Sequence, residues 1–172
     1  SELLFSIGRR RGKVVDFLKN FVIGSEHIVI DLTSIFSFSE DVISATSGYN
    51  SKREYTPQIN LVLMFSLDRY EPSFFRIVAG SIRDVSAISL AVKEAGIKRA
   101  ILIADKGIYS KGNIEFFERE GIDYILPLRR DSSLIDYEGL KGGRKGFDGY
   151  FLFSKRVIWH YEREVEGRMF IN

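Results

Sequence analysis

The stretch HIVIDLTSIF, residues 27–36, is a run of β-branched and apolar residues with one carboxylate, Asp31, near its centre. Ile28, Val29, Ile30 and Ile35 favour a strand, and apolar residues on both faces predict a central one. A carboxylate withdrawn from water without a partner costs on the order of several kcal/mol, so Asp31 calls for a proton, a cation or a hydrogen-bond donor. A second run, RAILIADKGIYSKGN at residues 99–113, is apolar up to Asp105 and raises the same requirement.

The elements around these two runs follow from periodicity and punctuation. KVVDFLKNFVI, residues 13–23, places Val14, Leu18, Phe21 and Val22 at helical spacing, with Gly24 as its stop. Residues 37–56, SFSEDVISATSGYNSKREYT, hold no sustained period and read as a long loop. QINLVLMFSLD (58–68) and SFFRIVAG (73–80) alternate as strands, and DRYEP between them predicts an antiparallel hairpin. Asp84 is the expected cap of a helix over VSAISLAVKEAG, with Val85, Ile88 and Val92 inward and Gly96 at its end. The strand RAILIAD, a helix from Ser110 to Gly121 and the strand IDYILPL follow.

The order β-β-β-α-β-α-β predicts an α/β fold with a ribonuclease-H-like mixed sheet, in which helical crossovers return the later strands parallel to the first. That arrangement sets Asp31 beside Asp105. DGYFLFSKRVIWHYEREVEGRMFIN, residues 148–172, reads as the start of a β-rich insertion at the C-terminus. The expected division is an N-terminal helical segment over 1–25, a catalytic core over 26–131 and an insertion segment, cut short, over 132–172.

Composition narrows the chemistry. With 172 residues the chain is long enough to bury a core, and with no cysteine it holds no disulfide, no thiolate nucleophile and no Cys-ligated zinc. No apolar run approaches the roughly 20 residues of a membrane span, and SELLFSIGRRRG lacks a signal-peptide pattern, so the expected setting is the cytoplasm, at the nucleoid, with no membrane partner. Lys and Arg number 25 against 23 Asp and Glu, a balance that leaves any nucleic-acid contact to local clusters.

Two carboxylates on adjacent strands repel unless they share a proton or a cation. Two Mg²⁺ ions about 3.5–4 Å apart, bridged by carboxylate and phosphate oxygens, are the common solution for in-line phosphodiester chemistry. HIVIDLTSI, GYNSKREYTPQINLVLMFSLD, GSIRDVSAISLAV and ILIADKGIYSKGNIEFFEREGIDYILPLRR, in this order, closely resemble the DDE transposases of bacterial and archaeal insertion sequences. The resemblance spans residues 26–131 and continues weakly into the C-terminal β segment. It implies that Asp31 and Asp105 are the first and second acidic ligands of two Mg²⁺ (or Mn²⁺) ions. It also implies cleavage of transposon ends, attack of the freed 3′ hydroxyl on target DNA, and double-stranded DNA as partner, with a homodimer in the synaptic complex.

The family's third acid, a Glu on a later helix, has no counterpart at the right spacing. Tyr161, Glu162, Arg163, Glu164 and Glu166 lie in an alternating, strand-like segment. The expected place for the missing Glu is beyond Asn172, which would leave this stretch alone catalytically incomplete. Lys106 and Lys111 flank the second Asp, and Arg129 and Arg130 follow the fifth strand; these four are the expected DNA contacts, against the plainer reading of a solvated edge. RRRGK (Arg9, Arg10, Arg11, Lys13) reads equally as a phosphate contact or a solvated helix start. His27 and His160 lack ligand spacing, Trp159 suits hairpin packing better than base stacking, and GLKGGRKGFDG (139–149) reads as a flexible basic linker. Tyr49, Asn50 and Gln58 belong to the resemblance without a physical role.

Two rivals stand beside this reading. A phosphatase of the haloacid-dehalogenase type needs a second Asp two residues after the first, where this chain has Thr33. A domesticated or inactive transposase remnant, acting as a DNA-binding or interaction module, would retain the fold without the cleavage.

Overall fold

In the computed structural model, which describes residues 2–39, 41–49, 55–82, 84–135, 137–141 and 146–171, the chain opens with helices α1 (Glu2–Gly8) and α2 (Arg11–Val22). The sequence signalled only the second. Its buried stripe is Val15 and Val22 with Leu18 packed between them, a spacing of three and four residues, while Val14 and Phe21 flank it half-buried. Gly24, at φ +80°, turns the chain out of the helix in a conformation that side chains disfavour.

Strand β1 (His27–Phe36) is followed by β2 (Thr46–Tyr49), β3 (Tyr55–Ser66), β4 (Glu71–Ala79), α3 (Asp84–Ala95), β5 (Ile101–Ala104), α4 (Lys111–Glu120) and β6 (Tyr124–Ile125). The main sheet has the order β2-β3-β1-β5-β6, and β4 joins the same edge of β3 as β2. The long strand β3 makes this possible, since β2 pairs with Tyr55–Gln58 and β4 with Ile59–Ser66. Strand β3 is antiparallel to β1, while β5 is parallel to β1 and β6 to β5. The fold is therefore a mixed α/β sheet of the ribonuclease-H-like order.

Three expectations need correction. The segment 37–56 is not a plain loop, because Thr46–Tyr49 forms a strand on β3. The last strand of the series is only Tyr124–Ile125, far shorter than IDYILPL, because Pro127 has no N–H for a ladder and biases the residue before it. Asp84 is the first residue of α3 rather than a cap before it, so its carboxylate sits in the positive first turn.

The core of residues 1–127 lies on one face of the sheet. Ile28 and Ile30 of β1, Val62 and Met64 of β3, Phe74 of β4 and Leu102 of β5 meet Ala87, Ile88, Ala91 and Val92 of α3 and Phe116 and Phe117 of α4. Each fully buried large side chain contributes about 1.5–3 kcal/mol. The other face stays open, with Leu63, Ile77 and Ile125 all exposed. The strand β1 is thus apolar on both faces but covered on one.

Residues 128–172 form a separate compact unit. It holds α5 (Tyr137–Leu140) and the strands β7 (Gly149–Phe153), β8 (Arg156–His160), β9 (Glu162–Val165) and β10 (Arg168–Ile171), paired as two antiparallel hairpins. Gly139 and Leu140 close α5, so the basic linker begins later than its composition suggests. Its residues 142–145, like Asn50, lie outside the described residues. No helix among the described residues is long and apolar enough to cross a membrane.

Candidate active site

The parallel ladder between β1 and β5 pairs His27 with Ile101, Ile28 with Leu102, Val29 with Ile103 and Ile30 with Ala104. The ladder ends there: Asp31 continues β1 and Asp105 is the first residue past β5, so the two acids are the residues that immediately follow its last pair. Ile30 and Ala104 are buried, whereas both acids are exposed. Because successive side chains alternate, Asp31 belongs to the open face with Val29, Thr33 and Ile35. The desolvation argument made from the sequence therefore fails for Asp31, whose carboxylate keeps its access to water.

Asp105 leaves the end of β5 into a tightly bonded turn. Its carbonyl accepts from Ile108 N–H at 3.1 Å, and its Oδ1 accepts from Gly107 N–H at 2.7 Å. Ile108 is buried, and its carbonyl accepts from Asn113 Nδ2 at 2.8 Å. Ser110 caps α4 by accepting from Asn113 N–H at 3.2 Å, and Gly121 ends the helix at φ +65°, both where the sequence places them. Buried anchors on either side thus fix the turn that presents the Asp105 carboxylate.

A buried polar cluster organises the far end of β1. Asn60 donates through Nδ2 to the carbonyls of Gly80 (3.3 Å) and Ile82 (3.1 Å), and its Oδ1 accepts from Ser34 Oγ at 2.9 Å. Gln58 Nε2 lies 3.4 Å from the same oxygen. Gly80 packs so closely that a β-carbon there would stand 2.2 Å from the Gln58 carbonyl and 2.5 Å from that of Thr46. Gln58, which carried no role in the sequence, is a wholly buried link between β2 and the turn before α3. Its signal was a pair of amides, Gln58 and Asn60, on the inward side of an otherwise apolar strand.

The four basic candidates separate. Lys106 is exposed beside Asp105, and Lys111 opens α4 with an ion pair to Glu115 at 3.6 Å. Arg129 and Arg130 are exposed but belong to the second unit, four and five residues past the end of β6 rather than just beyond it. Arg11 serves the fold, with Nη2 at 2.6 Å from Glu94 Oε2 and 3.2 Å from the Phe75 carbonyl. Burial alone would push the Glu94 carboxyl up, but Arg11 and Arg76 outweigh it and hold it below its ordinary value.

His27 is bound through Nδ1 to Asp68 Oδ1 at 2.9 Å, at the end of β1 away from Asp31. In the second unit, Trp159 packs against Phe147 and Tyr150 in tilted pairs, at 6.2 and 5.2 Å between ring centres. Glu162 and Glu164 lie on β9, and Glu166 sits in the following turn at φ +52°. Among the described residues, no group of three or more His, Cys, Asp or Glu side chains is placed to hold a metal ion. Asp31 and Asp105 carry hard carboxylate oxygens of the kind Mg²⁺ and Mn²⁺ take.

A family model described as the transposase DDE domain matches residues 23–169. Solved structures similar to the chain include two transposase complexes. One is the piggyBac transposase synaptic complex with hairpin DNA, at 13% identity and a TM-score of 0.45 over 85% of this chain and 32% of that one. The other is the Mos1 transposase paired-end complex with the left transposon end, at 13% identity and a TM-score of 0.36 over 76% and 49%. The chain spans about a third and about half of those two proteins. No curated protein sequence matches it.

Proposed function

Because this chain belongs to the transposase DDE domain family, we propose that Asp31 and Asp105 are two of the carboxylates with which it takes part in cutting and rejoining DNA, as in the insertion-sequence transposases it resembles. The observation that carries this is the parallel register of β1 with β5, whose last pair, Ile30 with Ala104, immediately precedes the two acids. Carboxylates at these places, about one strand spacing apart, would be close enough to share one divalent cation.

Magnesium or manganese held there would lower the pKa of the attacking water and steady the leaving 3′ oxygen. The chain's own residues supply position. The Asp105 carboxylate is fixed by Gly107 N–H, so it presents its remaining lone pairs without a rotamer search. In the first step water displaces the 3′ oxygen from phosphorus; in the second the freed 3′ hydroxyl attacks a target phosphodiester and displaces another 3′ oxygen. Lys106, Lys111, Arg129 and Arg130 contact the backbone of double-stranded DNA, and two copies bring two transposon ends together.

The test is Mn²⁺ titration of the 172-residue chain, followed by calorimetry and by thermal unfolding. Weak binding that disappears in both Asp31→Ala and Asp105→Ala is expected, with transposon-end DNA left uncut, because two carboxylates give an incomplete shell. Binding unchanged in those variants ends the reading. Robust cleavage abolished by changing Glu162, Glu164 or Glu166 would instead put the third ligand in the β9 hairpin.

A further inference from the structure

The hairpin of β7 and β8 is a separate two-stranded sheet, and so is that of β9 and β10. A two-stranded ribbon is marginal by itself, since it buries little and leaves both edges unpaired. The β7–β8 ribbon is also apolar on both faces. The register pairs Tyr150 with Trp159 and Leu152 with Val157 on one side, and Phe151 with Ile158 on the other, where Phe153 follows.

These side chains face solvent to an unusual degree, with Leu152 71% and Phe153 66% exposed. At about 150–250 Å² for a whole aromatic side chain, the ribbon presents on the order of 500–700 Å² of apolar surface over its two faces, about half of it on each. Its charge is confined to the tip. Residues 149–160 contain no acid, and Lys155 and Arg156 stand at the turn, where Ser154 and Lys155 adopt φ +49° and +64°. Positive φ at both central residues gives the tight hairpin turn, with Lys155 in it and Arg156, exposed, opening β8 opposite Phe153.

A complementary surface is present on the same chain. One face of the β9–β10 hairpin carries Glu162, Glu164, Met169 and Ile171, all exposed, with Ile171 at 67%. That face is apolar with carboxylates, where the ribbon is apolar with cations. The two surfaces are open in the same molecule, so they do not cover one another there. A DNA-binding face would spread its cations along the strands, whereas this ribbon spreads hydrocarbon.

We infer that the β7–β8 ribbon is a dimerisation arm that lies on the β9–β10 face of a second copy of this chain, with the reciprocal contact made by the partner's arm. A two-fold axis makes the two contacts identical. Arm and acceptor face together offer each copy on the order of the 800 Å² per partner of a standard interface. The arrangement deepens the homodimer of the proposed function, yet it is measured without DNA or metal, so its failure and that of the metal reading are separate results.

Sedimentation velocity of the 172-residue chain over a range of concentrations provides the test. The wild type is expected to form a reversible dimer, and Leu152→Asp/Phe153→Asp to be monomeric with an unchanged near-ultraviolet spectrum. An acidic-arm variant, Lys155→Glu/Arg156→Glu, and a basic-face variant, Glu162→Lys/Glu164→Lys, each repel themselves and should dimerise at least about tenfold more weakly. Mixed together they should recover a dimer within about threefold of wild type, because both contacts then join opposite charges. A wild type that stays monomeric, or whose arm becomes protected only when DNA is added, overturns the inference. So do charge variants that dimerise as the wild type does, and so does a mixture that recovers nothing.

Discussion

The amide of Gly107 donates to Oδ1 of Asp105 at 2.7 Å, and a β-carbon on Gly107 would stand 2.9 Å from that same oxygen. The crowding falls on a side-chain carboxylate that can rotate, so Gly107→Ala should fold with a stability change within about 0.5 kcal/mol. Rotation takes the carboxylate out of its fixed position. Mn²⁺ affinity should therefore fall about tenfold while the melting temperature without metal holds. Calorimetric titration checks it; unchanged affinity would show that the turn does not position Asp105.

DNA affinity should fall steeply with salt if the basic residues contact phosphate. Each phosphate neutralised contributes about 0.9 to the slope of log K against log salt concentration on a duplex. Replacing Lys106 and Lys111 by Ala should flatten that slope by roughly two. The Lys111–Glu115 pair is a weak competitor, since the Lys111 side chain is 90% exposed. Fluorescence anisotropy at several salt concentrations measures the slope, and an unaltered slope returns both lysines to a solvated edge. The same pair of measurements on Arg129→Ala/Arg130→Ala reads the second unit separately.

How far the sequence reached depends on whether the signal was local. β1 and β5 are dense in β-branched residues and were legible, as were the Ser110 cap and the Gly121 stop of α4. The parallel placement of β5 beside β1 followed from the order of elements alone. β2 was invisible, because Thr46–Tyr49 has no apolar alternation and becomes a strand through its pairing with β3 and the close approach of Gly48 to Gly80. The openness of the Asp31 face was hidden too, since Val29 and Ile35 look the same on a covered face as on an open one. Nothing in a short run of charge told Arg11, bound to Glu94, from Arg10 and Lys13, which are exposed.

Acid should weaken the start of β1. Asp68 accepts from the N–H groups of Glu26 and His27 and from the His27 ring, and these bonds, the ring first, lower its pKa from 3.8 to about 2. A carboxyl held lower in the folded state than in the unfolded one stabilises at pH above its unfolded value. That contribution is lost as pH falls from 3.8 towards 2. Urea unfolding of wild type and Asp68→Asn from pH 6 to about 2 should show two curves that converge as acid is added. Parallel curves throughout would mean that Asp68 keeps its ordinary value in the folded chain.

The buried cluster at Asn60 should be among the most sensitive positions of the first unit. Its amide satisfies the carbonyls of Gly80 and Ile82 and accepts from Ser34, so Asn60→Leu strips partners from three groups, and buried polar groups without partners cost about 1–3 kcal/mol each. Relaxation and water entry reduce the sum, and a loss of about 2–4 kcal/mol is expected. Gly80→Ala should do comparable damage by another route, because its β-carbon meets backbone carbonyls at 2.2 and 2.5 Å, which cannot swing aside as a side chain would. Strand β2 would then separate from β3. Gly12→Ala is the matched control: a β-carbon there meets nothing within 4 Å, and the residue lies inside α2, so the change should stabilise by about 0.5–1 kcal/mol. Chemical unfolding of the three variants measures all of this, with hydrogen exchange at Thr46–Tyr49 reporting β2. Full protection of that strand in Gly80→Ala would show that the close approach to Gly80 does not hold it in the sheet.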